Sequence, residues 1–516
     1  MITFPNSPFR PVPPRFSLLS RISSSTPRNS RRSLMISLTS ASVAVVFIVY
    51  LIVSTKTSHS TRFGIVIDAG SSGTRIHVFG YKSERGDFPS LDLDRTAVMR
   101  VSPGLSSYVE EPERAGDSLV ELIEFAKGKV EKDLRRETEV RLMGTAGLRM
   151  VDRGVREKIL ESCRRVLRES GFRFRDDWAT VIPGSDEGIY AWVAANYALG
   201  SLGGDPQKTT GVIELGGASA QITFVSDEPL PPESSHELKF QETTYKLYSN
   251  SFLHFGQNTA YKSLHEMLTS EESAKERKFI DPCAPKKNSE IEEPLRPATG
   301  AFRSKLEYQP VIHAGNFSDC RSAILMLLRK GKENCLYQQC NLGLAFVPEL
   351  HGSFLATENF FFTSKFFGLG ATSTLSDLAL AGKQFCEGDL LKLKEKYSNL
   401  DEEDLSRYCF SSAYIVALLH DSLGISLGER RIEFANQVGD TQIEWALGAF
   451  LMQRVATDLH HANWITSVIR NDLVLLLLVV STLLVFSTWL VSKWRRPELK
   501  TIYDLEKGRY IITRVS

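Results

Sequence analysis

The sequence lacks a charge excess. Its 516 residues carry 62 Lys and Arg against 61 Asp and Glu, a formal net charge of +1. A nucleic-acid binder that works by bulk charge is excluded by that balance. The chain also lacks any CxxC pair with zinc spacing, and no His-rich tract appears, so a metal cluster of that kind finds no support. Disorder is excluded as well, because apolar residues reach 42% and charged residues only 24%. Acidic residues are missing from the first 33 positions, where Arg10, Arg15, Arg21, Arg28, Arg31 and Arg32 occur.

Two stretches lack charge altogether, Leu34 to Ser54 and Leu473 to Ser492. Each is about long enough to cross a ~30 Å hydrocarbon core. The second is followed by Lys493, Arg495, Arg496 and Lys500. Basic flanks on both predict a two-pass membrane-embedded protein with both termini cytoplasmic. The expected layout is a cytoplasmic tail over 1–33, a span over 34–54, a span over 473–492 and a second tail over 493–516. The region between would lie in the Golgi or endomembrane lumen, or outside the plasma membrane. The spans also offer a route to a homo-oligomer. Competing readings are an organelle transit peptide or a signal peptide cleaved within Ser40 to Val45 at the N-terminus, and a buried core helix at the C-terminus.

Seven cysteines are present, and six crowd the second half of the central region. Six allow 15 pairings. Order along the chain suggests Cys283–Cys320, Cys335–Cys340 and Cys386–Cys409, which implies an oxidising compartment. Cys163 is left over. It falls in GVREKILESCRRVLRES, where Val155, Ile159, Cys163, Val166 and Leu167 recur at helical spacing, so a buried free thiol is expected. Asn316-Phe317-Ser318 is a glycosylation sequon.

What the chain does have is a repeat. FGIVIDAGSSGTRIHVFGY starts at Phe63, and GVIELGGASAQITFV starts at Gly211. Asp68 matches Glu214, Gly70 matches Gly216, Arg75 matches Gln221 and Ile76 matches Ile222. Each copy is a strand, a carboxylate, a turn of small residues and a second strand. A turn without bulky side chains lets backbone N–H groups approach an anion. Ser71, Ser72, Thr74, Ser219 and Gln221 add side-chain donors. The acids suit a hydrated divalent cation. One such turn is most simply a hairpin. Two with an acid at the same offset suggest two lobes gripping one polyphosphate.

Two further segments fit that cleft. RLMGTAGLRM, Arg141 to Met150, ends a strand in a small polar turn, with Arg149 placed to pair with phosphate. In VIPGSDEGIYAWVAANYALG, Ser185 reads as an N-cap with Asp186 and Glu187 in the first helical turn. These acids either only favour the helix dipole, or Glu187 activates water.

IDAGSSGTRIHVF, GTAGLR, IPGSDEGIYAWVAANYALG, ELGGASAQITF and GDTQIEWALGAF resemble, in order, the five apyrase-conserved regions of the ecto-apyrases, the nucleoside triphosphate diphosphohydrolases. The likeness runs from about Phe63 to Phe450 and looks strongest to the membrane-bound plant members. It implies an α/β fold of two ribonuclease-H-like lobes of the actin–Hsp70–hexokinase superfold. Lobe I would cover 62–185, completed by 438–465, and lobe II would cover 186–437. It implies hydrolysis of the terminal phosphoanhydride of nucleoside tri- and diphosphates, with Ca²⁺ or Mg²⁺ as cofactor and nucleotides rather than nucleic acid as partners. Glu187 matches the general base. Asp68 and Glu214 match the carboxylates that hold the metal through water. Ser71, Ser72, Gly73, Thr74, Arg75, Thr145, Gly217, Ala218, Ser219 and Gln221 match phosphate-loop and water-positioning residues. Trp445 matches the Trp of the fifth region. Phe361, Phe362 and Tyr414 are candidates for base contacts. The sequence departs at Glu214, where the family usually has Asp, and at Gly144, where Ala is common. Other readings are an exopolyphosphatase or kinase of the same superfold, and a nucleotide-binding or structural protein with impaired turnover.

Overall fold

Two sheets, each started by one copy of the repeat, organise the molecule. The computed structural model describes residues 61–82, 88–240, 242–269, 279–287, 311–330, 340, 342–343, 345–455 and parts of 483–514. The first sheet contains β1 (Arg62–Ala69), β2 (Thr74–Lys82), β3 (Ser90–Val101), β4 (Glu139–Gly144) and β5 (Ala179–Val181), in the order β3-β2-β1-β4-β5. The second contains β6 (Gly211–Leu215), β7 (Ser219–Val225), β8 (Ser235–Phe240) and β9 (Thr243–Leu253). After a two-stranded ribbon of β10 (Phe279–Asp281) and β11 (Val311–His313), β12 (Phe354–Glu358) and β13 (Ile432–Phe434) complete it. Its order is β13-β12-β6-β7-β9-β8.

Without the edge strand β8, the two sheets have one plan. In each, a central strand pairs antiparallel with the strand that follows its turn and parallel with a later one. This is the ribonuclease-H-like arrangement expected of the superfold. The repeat holds at the level of single residues. Asp68 lies opposite Arg75 in the first hairpin, and Glu214 lies opposite Gln221 in the second.

β1 is buried on both faces, as its run of apolar residues requires. Phe63, Ile65 and Ile67 pack under helices α1 (Val120–Lys129) and α2 (Arg153–Glu169). Val66 points the other way, into a core shared with the second sheet. That shared core holds Trp192 of α3 (Gly184–Ala198) and Phe450 of a helix over 445–455. Phe450 stacks on Phe79 with ring centroids 4.9 Å apart, so the C-terminal helix packs on the first sheet. A Cβ on Gly448 would stand 1.8 Å from the Tyr190 carbonyl oxygen, so this helix approaches α3 backbone to backbone. The second sheet packs against α4 (Phe317–Leu328), α5 (Asn359–Phe366), α6 (Leu375–Cys386) and α7 (Glu402–Val416).

The disulfides Cys283–Cys320 and Cys386–Cys409 are formed. Cys340 is also disulfide-bonded, and Cys335 lies outside the described residues. Cys163 is the buried free thiol expected, and burial pushes it up to about 12. Asn316 caps α4: its Oδ1 accepts from the N–H groups of Ser318 and Asp319 at 3.0 and 3.2 Å. Its Nδ2, the atom a glycan would occupy, donates to Asp319 at 2.6 Å.

The two-pass expectation is corrected. No helix among the described residues is long and apolar enough to cross a membrane. The longest, α2, has 17 residues and is amphipathic, where a span needs about 20 apolar ones. Residues 34–54 lie outside the described residues, and of 473–492 only 483, 486, 487 and 490 fall within them. Cytoplasmic termini, membrane embedding and association through spans therefore have no support in the structure.

Candidate active site

The turns of the two repeats face each other. The β1–β2 turn brings Ser71 so near the β6–β7 turn that a Cβ on Gly217 would lie 2.8 Å from Ser71 Oγ. A side chain there would have to push the Ser71 hydroxyl aside. Between the turns opens a cleft of about 540 Å³, within the range of small-molecule sites. Asp68, Ser71, Ser72, Gly73, Arg75, Thr145, Glu187, Glu214, Gly217, Ala218, Ser219 and Trp445 line it, as the sequence analysis anticipates. Thr74 does not, because its side chain is wholly buried in the first hairpin. Gln221 is also buried, behind the wall, and donates to Ser219 and Glu187, which line the cleft.

Glu187 sits in the first turn of α3, which starts at Gly184 with Pro183 as N-cap. Ser185 is thus the second residue of the helix rather than its cap. Glu187 is 6% exposed, and a residue that served only the helix dipole would have no need of burial. Arg149 Nη2 donates to its Oε2 at 2.9 Å and to Ser219 Oγ at 3.2 Å. Gln221 Nε2 donates to the same carboxylate oxygen at 3.5 Å and to Ser219 Oγ at 2.6 Å. Arg149, read from sequence as a phosphate partner, is therefore the partner of Glu187. Burial raises the Glu187 pKa above the ordinary carboxylate range, against the pull of Arg149.

Asp68 and Glu214 are the next-to-last residues of the two central strands, each 7% exposed. Asp68 Oδ1 and Glu214 Oε2 have no hydrogen-bond partner. Burial raises Asp68 to about 7, although Arg75 and His77 oppose it. Burial raises Glu214 strongly, and Glu187, Glu358 and Asp68 add like-charge repulsion. Buried carboxylates with empty lone pairs and negative neighbours are short of positive charge. Among the described residues no three His, Cys, Asp or Glu side chains close into a direct metal-ligand group. The donor set fits a divalent cation that keeps water between itself and the protein.

Several cleft residues escaped the sequence reading. His77 Nδ1 lies 2.9 Å from Glu444 Oε2, a pair on the cleft wall. Although burial opposes it, His77 holds Glu444 below the usual carboxylate range. Both belong to segments already singled out, IHVF and QIEW, but their meeting depends on the C-terminal chain returning to the first sheet. Glu358 is the last residue of β12, one place beyond the level of Glu214 on β6; the strand-then-acid pattern FLATE was its signal. Arg100 donates to Ser72 Oγ at 3.0 Å.

The aromatic assignments change. Phe362 lines the cleft and is 45% exposed. Phe361 does not line it; its ring packs on Phe362 with centroids 5.5 Å apart. Tyr414 is fully buried and donates its hydroxyl to the Phe255 carbonyl at 2.6 Å. Tyr408, about 9 Å earlier on α7, reaches the cleft instead. Asp404, Arg407, Tyr408 and Ser411 form that helix face, at the i, i+3, i+4, i+7 spacing of neighbours on a helix.

The family model and the curated relatives agree on one family. A model of the GDA1/CD39 (nucleoside phosphatase) family matches residues 54–466. The chain is 51% identical over 508 residues to "Probable apyrase 6" of Arabidopsis thaliana, covering 95% of this chain and 91% of that protein. It is 29% identical over 459 residues to "Ectonucleoside triphosphate diphosphohydrolase 1" of Mus musculus, covering 83% and 89%. Among solved structures it is similar to nucleoside triphosphate hydrolases from Neospora caninum, with a TM-score of 0.58 at 18% identity over 81% of this chain and 97% of that one. That last likeness speaks for the fold alone.

Proposed function

The chain belongs to the GDA1/CD39 (nucleoside phosphatase) family, and from that premise we propose that its cleft hydrolyses the terminal phosphoanhydride of nucleoside tri- and diphosphates by attack of a water held at Glu187. It is an apyrase-type nucleoside triphosphate diphosphohydrolase, as its relatives are named. The observation that carries the mechanism is the Glu187 cluster. A buried carboxylate of raised pKa is held by Arg149 and Gln221 beside Ser219, at the wall of a cleft closed by two small-residue turns.

Phosphoryl transfer asks for positioning and charge stabilisation rather than a protein nucleophile. Ser71, Ser72, Gly73 and the first hairpin would hold one phosphate, and Gly217, Ala218 and Ser219 the next. Arg75 and Thr145 add donors at the same wall. Glu187 accepts the proton of the attacking water, and its raised pKa makes it a better base than a solvated Glu. Gln221, which donates to both Glu187 and Ser219, would orient that water together with the Ser219 hydroxyl. A divalent cation such as Ca²⁺ or Mg²⁺, with Asp68 and Glu214 ordering its water shell, would supply charge neutralisation for the phosphate oxygens. Phe362 and Tyr408 would flank the base, as stacking on aromatic faces tolerates any nucleobase.

Phosphate release from ATP, ADP, UDP and GDP by the purified full chain, with excess divalent cation and with EDTA, tests the reading. Cation-dependent release from at least one nucleotide is expected. Release no faster than the enzyme-free control from all four would refute it.

A further inference from the structure

The two-fold plan of the sheets fails at one residue. Pairing of β1 with β4 sets Ala69 beside Gly144. Pairing of β6 with β12 sets Leu215 beside Glu358. Since Ala69 follows Asp68 as Leu215 follows Glu214, Gly144 and Glu358 occupy matching places. The first lobe has no side chain there, and the second has a carboxylate.

The backbone at Glu358 is also unusual, with φ 58° and ψ −120°. Among the described residues only His254 shares a positive φ without being glycine. That conformation is glycine's, and a side chain persists in it only where the surroundings impose it. Here Asn436 Oδ1 accepts from the Glu358 N–H at 2.7 Å. The next side chain, Asn359, donates to the Leu215 carbonyl at 2.8 Å. The strained backbone aims a carboxylate into the cleft, where Glu358 Oε1 lies 3.4 Å from Arg75 Nη1. Arg75 belongs to the first sheet and Glu358 to the second, so the pair ties the two across the cleft.

Arg75 has a second anomaly. Its cross-strand neighbour on β3 is Arg100, and both line the cleft. Like charges directly opposite each other destabilise a sheet. Two guanidinium groups side by side call for an anion. Ser72 Oγ serves Arg100, and Glu358 serves Arg75.

We propose that Glu358 is the resident counter-anion of Arg75, that nucleotide phosphate displaces it, and that its charge makes the cleft select cation-complexed nucleotide over free nucleotide. The inference rests on the nucleotide reading above. Free polyphosphate enters a cleft that already holds Asp68, Glu187, Glu214 and Glu358, and it must take Arg75 from Glu358 while that carboxylate remains close by. A cation carried in with the nucleotide cancels most of this repulsion. Glu358 is thus a positioning residue, acting on substrate through Arg75.

The test is calorimetric binding of a non-hydrolysable ATP analogue to the full chain and to Glu358→Gln, in EDTA and in excess Mg²⁺. Gln can still accept from Arg75 but carries no charge. In EDTA the variant should bind about tenfold more tightly than the wild type, since like-charge juxtaposition is costly in a closed site. In Mg²⁺ the two should agree within about twofold. An equal change in both conditions, or no gain in EDTA, overturns the proposal. Glu358→Gly is the second variant. Glycine accepts the backbone conformation, so the variant keeps the strand end, and it should show the same selective gain. If the wild type binds the analogue in neither condition, the nucleotide reading itself falls and takes this one with it. If the wild type binds and the variants match it, only the role of Glu358 fails.

Discussion

Replacing Glu187 by Gln separates a general base from a buried helix-start acid. The perturbation is small in shape. Arg149 keeps a carbonyl oxygen to donate to, and it retains its bonds to Ser219 Oγ at 3.2 Å and to the Ile182 carbonyl at 3.2 Å. Nucleotide affinity should therefore stay within about twofold. Stability should change little, because the Arg149 ion pair that is lost is offset by no longer burying a charge that burial already disfavours. Turnover should not survive. Loss of a positioned base typically costs 10²–10⁴-fold, which is about 3–5 kcal/mol of barrier. The pH profile adds an independent reading. The Glu187 pKa lies above the ordinary range, so kcat of the wild type should fall as pH drops through that raised value, and the residual rate of the variant should lack this limb. The assay is single-turnover phosphate release alongside calorimetric binding and thermal melting. A variant with kcat within about threefold of the wild type would refute the reasoning. So would a parallel loss of binding and turnover, which would make Glu187 a support for Arg149.

Asp68 gives a pH prediction without catalysis. Burial raises it to about 7 from an unfolded value near 4, so the folded state holds the proton more tightly. The stability this supplies is complete below pH 4 and lost as pH rises to 7, about 4 kcal/mol in the cation-free protein. Added Ca²⁺ or Mg²⁺ should then raise Tm more at pH 8 than at pH 5, and an equal rise at both would remove Asp68 from the cation site. Phe362→Ala and Tyr408→Ala should each raise KM about 5- to 160-fold with little change in kcat, from the ~1–3 kcal/mol of a base stack; Phe361→Ala should leave KM unchanged, and the reverse pattern would reinstate Phe361. Glu214→Asp, restoring the residue usual in the family, should raise kcat, and Glu214→Gln should nearly abolish it. Identical rates and cation titrations for all three proteins would show that Glu214 does not face the cation.

The legible part of this site was the part written twice. A strand, an acid and a side-chain-free turn can be recognised locally, and the second copy fixed the offset at which to look. The register pairs Asp68 with Arg75 and Glu214 with Gln221, as the alignment of the two segments requires. Glu187 and Thr145 were legible for a similar reason: each lies in the few residues where a strand gives way to a helix. The disulfides Cys283–Cys320 and Cys386–Cys409 followed from order along the chain. What stayed hidden needed long-range geometry. Tyr408 and Tyr414 lie on one helix with similar neighbours, and only the position of α7 against the second sheet decides which reaches the cleft. Arg149 looked free for phosphate because nothing in its own segment shows that α3 brings Glu187 beside it.

Glu358 shows where the same reasoning could have gone further. Its strand ends in an acid, as β1 and β6 nearly do, but no glycine turn follows, so the local pattern does not repeat. Only the parallel pairing of β12 with β6 puts it level with Leu215 and makes it the counterpart of Gly144. A duplicated fold constrains both halves to one plan, so a departure from the plan is informative in proportion to its cost. Cross-strand partners Arg75 and Gln221 already differ in charge, which puts a guanidinium directly opposite Asp68 and a neutral amide opposite Glu214. Placing one more carboxylate on the second lobe, in a backbone conformation suited to glycine, sharpens that asymmetry. Arg75 and Arg100 stand on the first sheet and Glu214 and Glu358 on the second, so a cation and a polyphosphate entering together would find both signs of charge in one cleft.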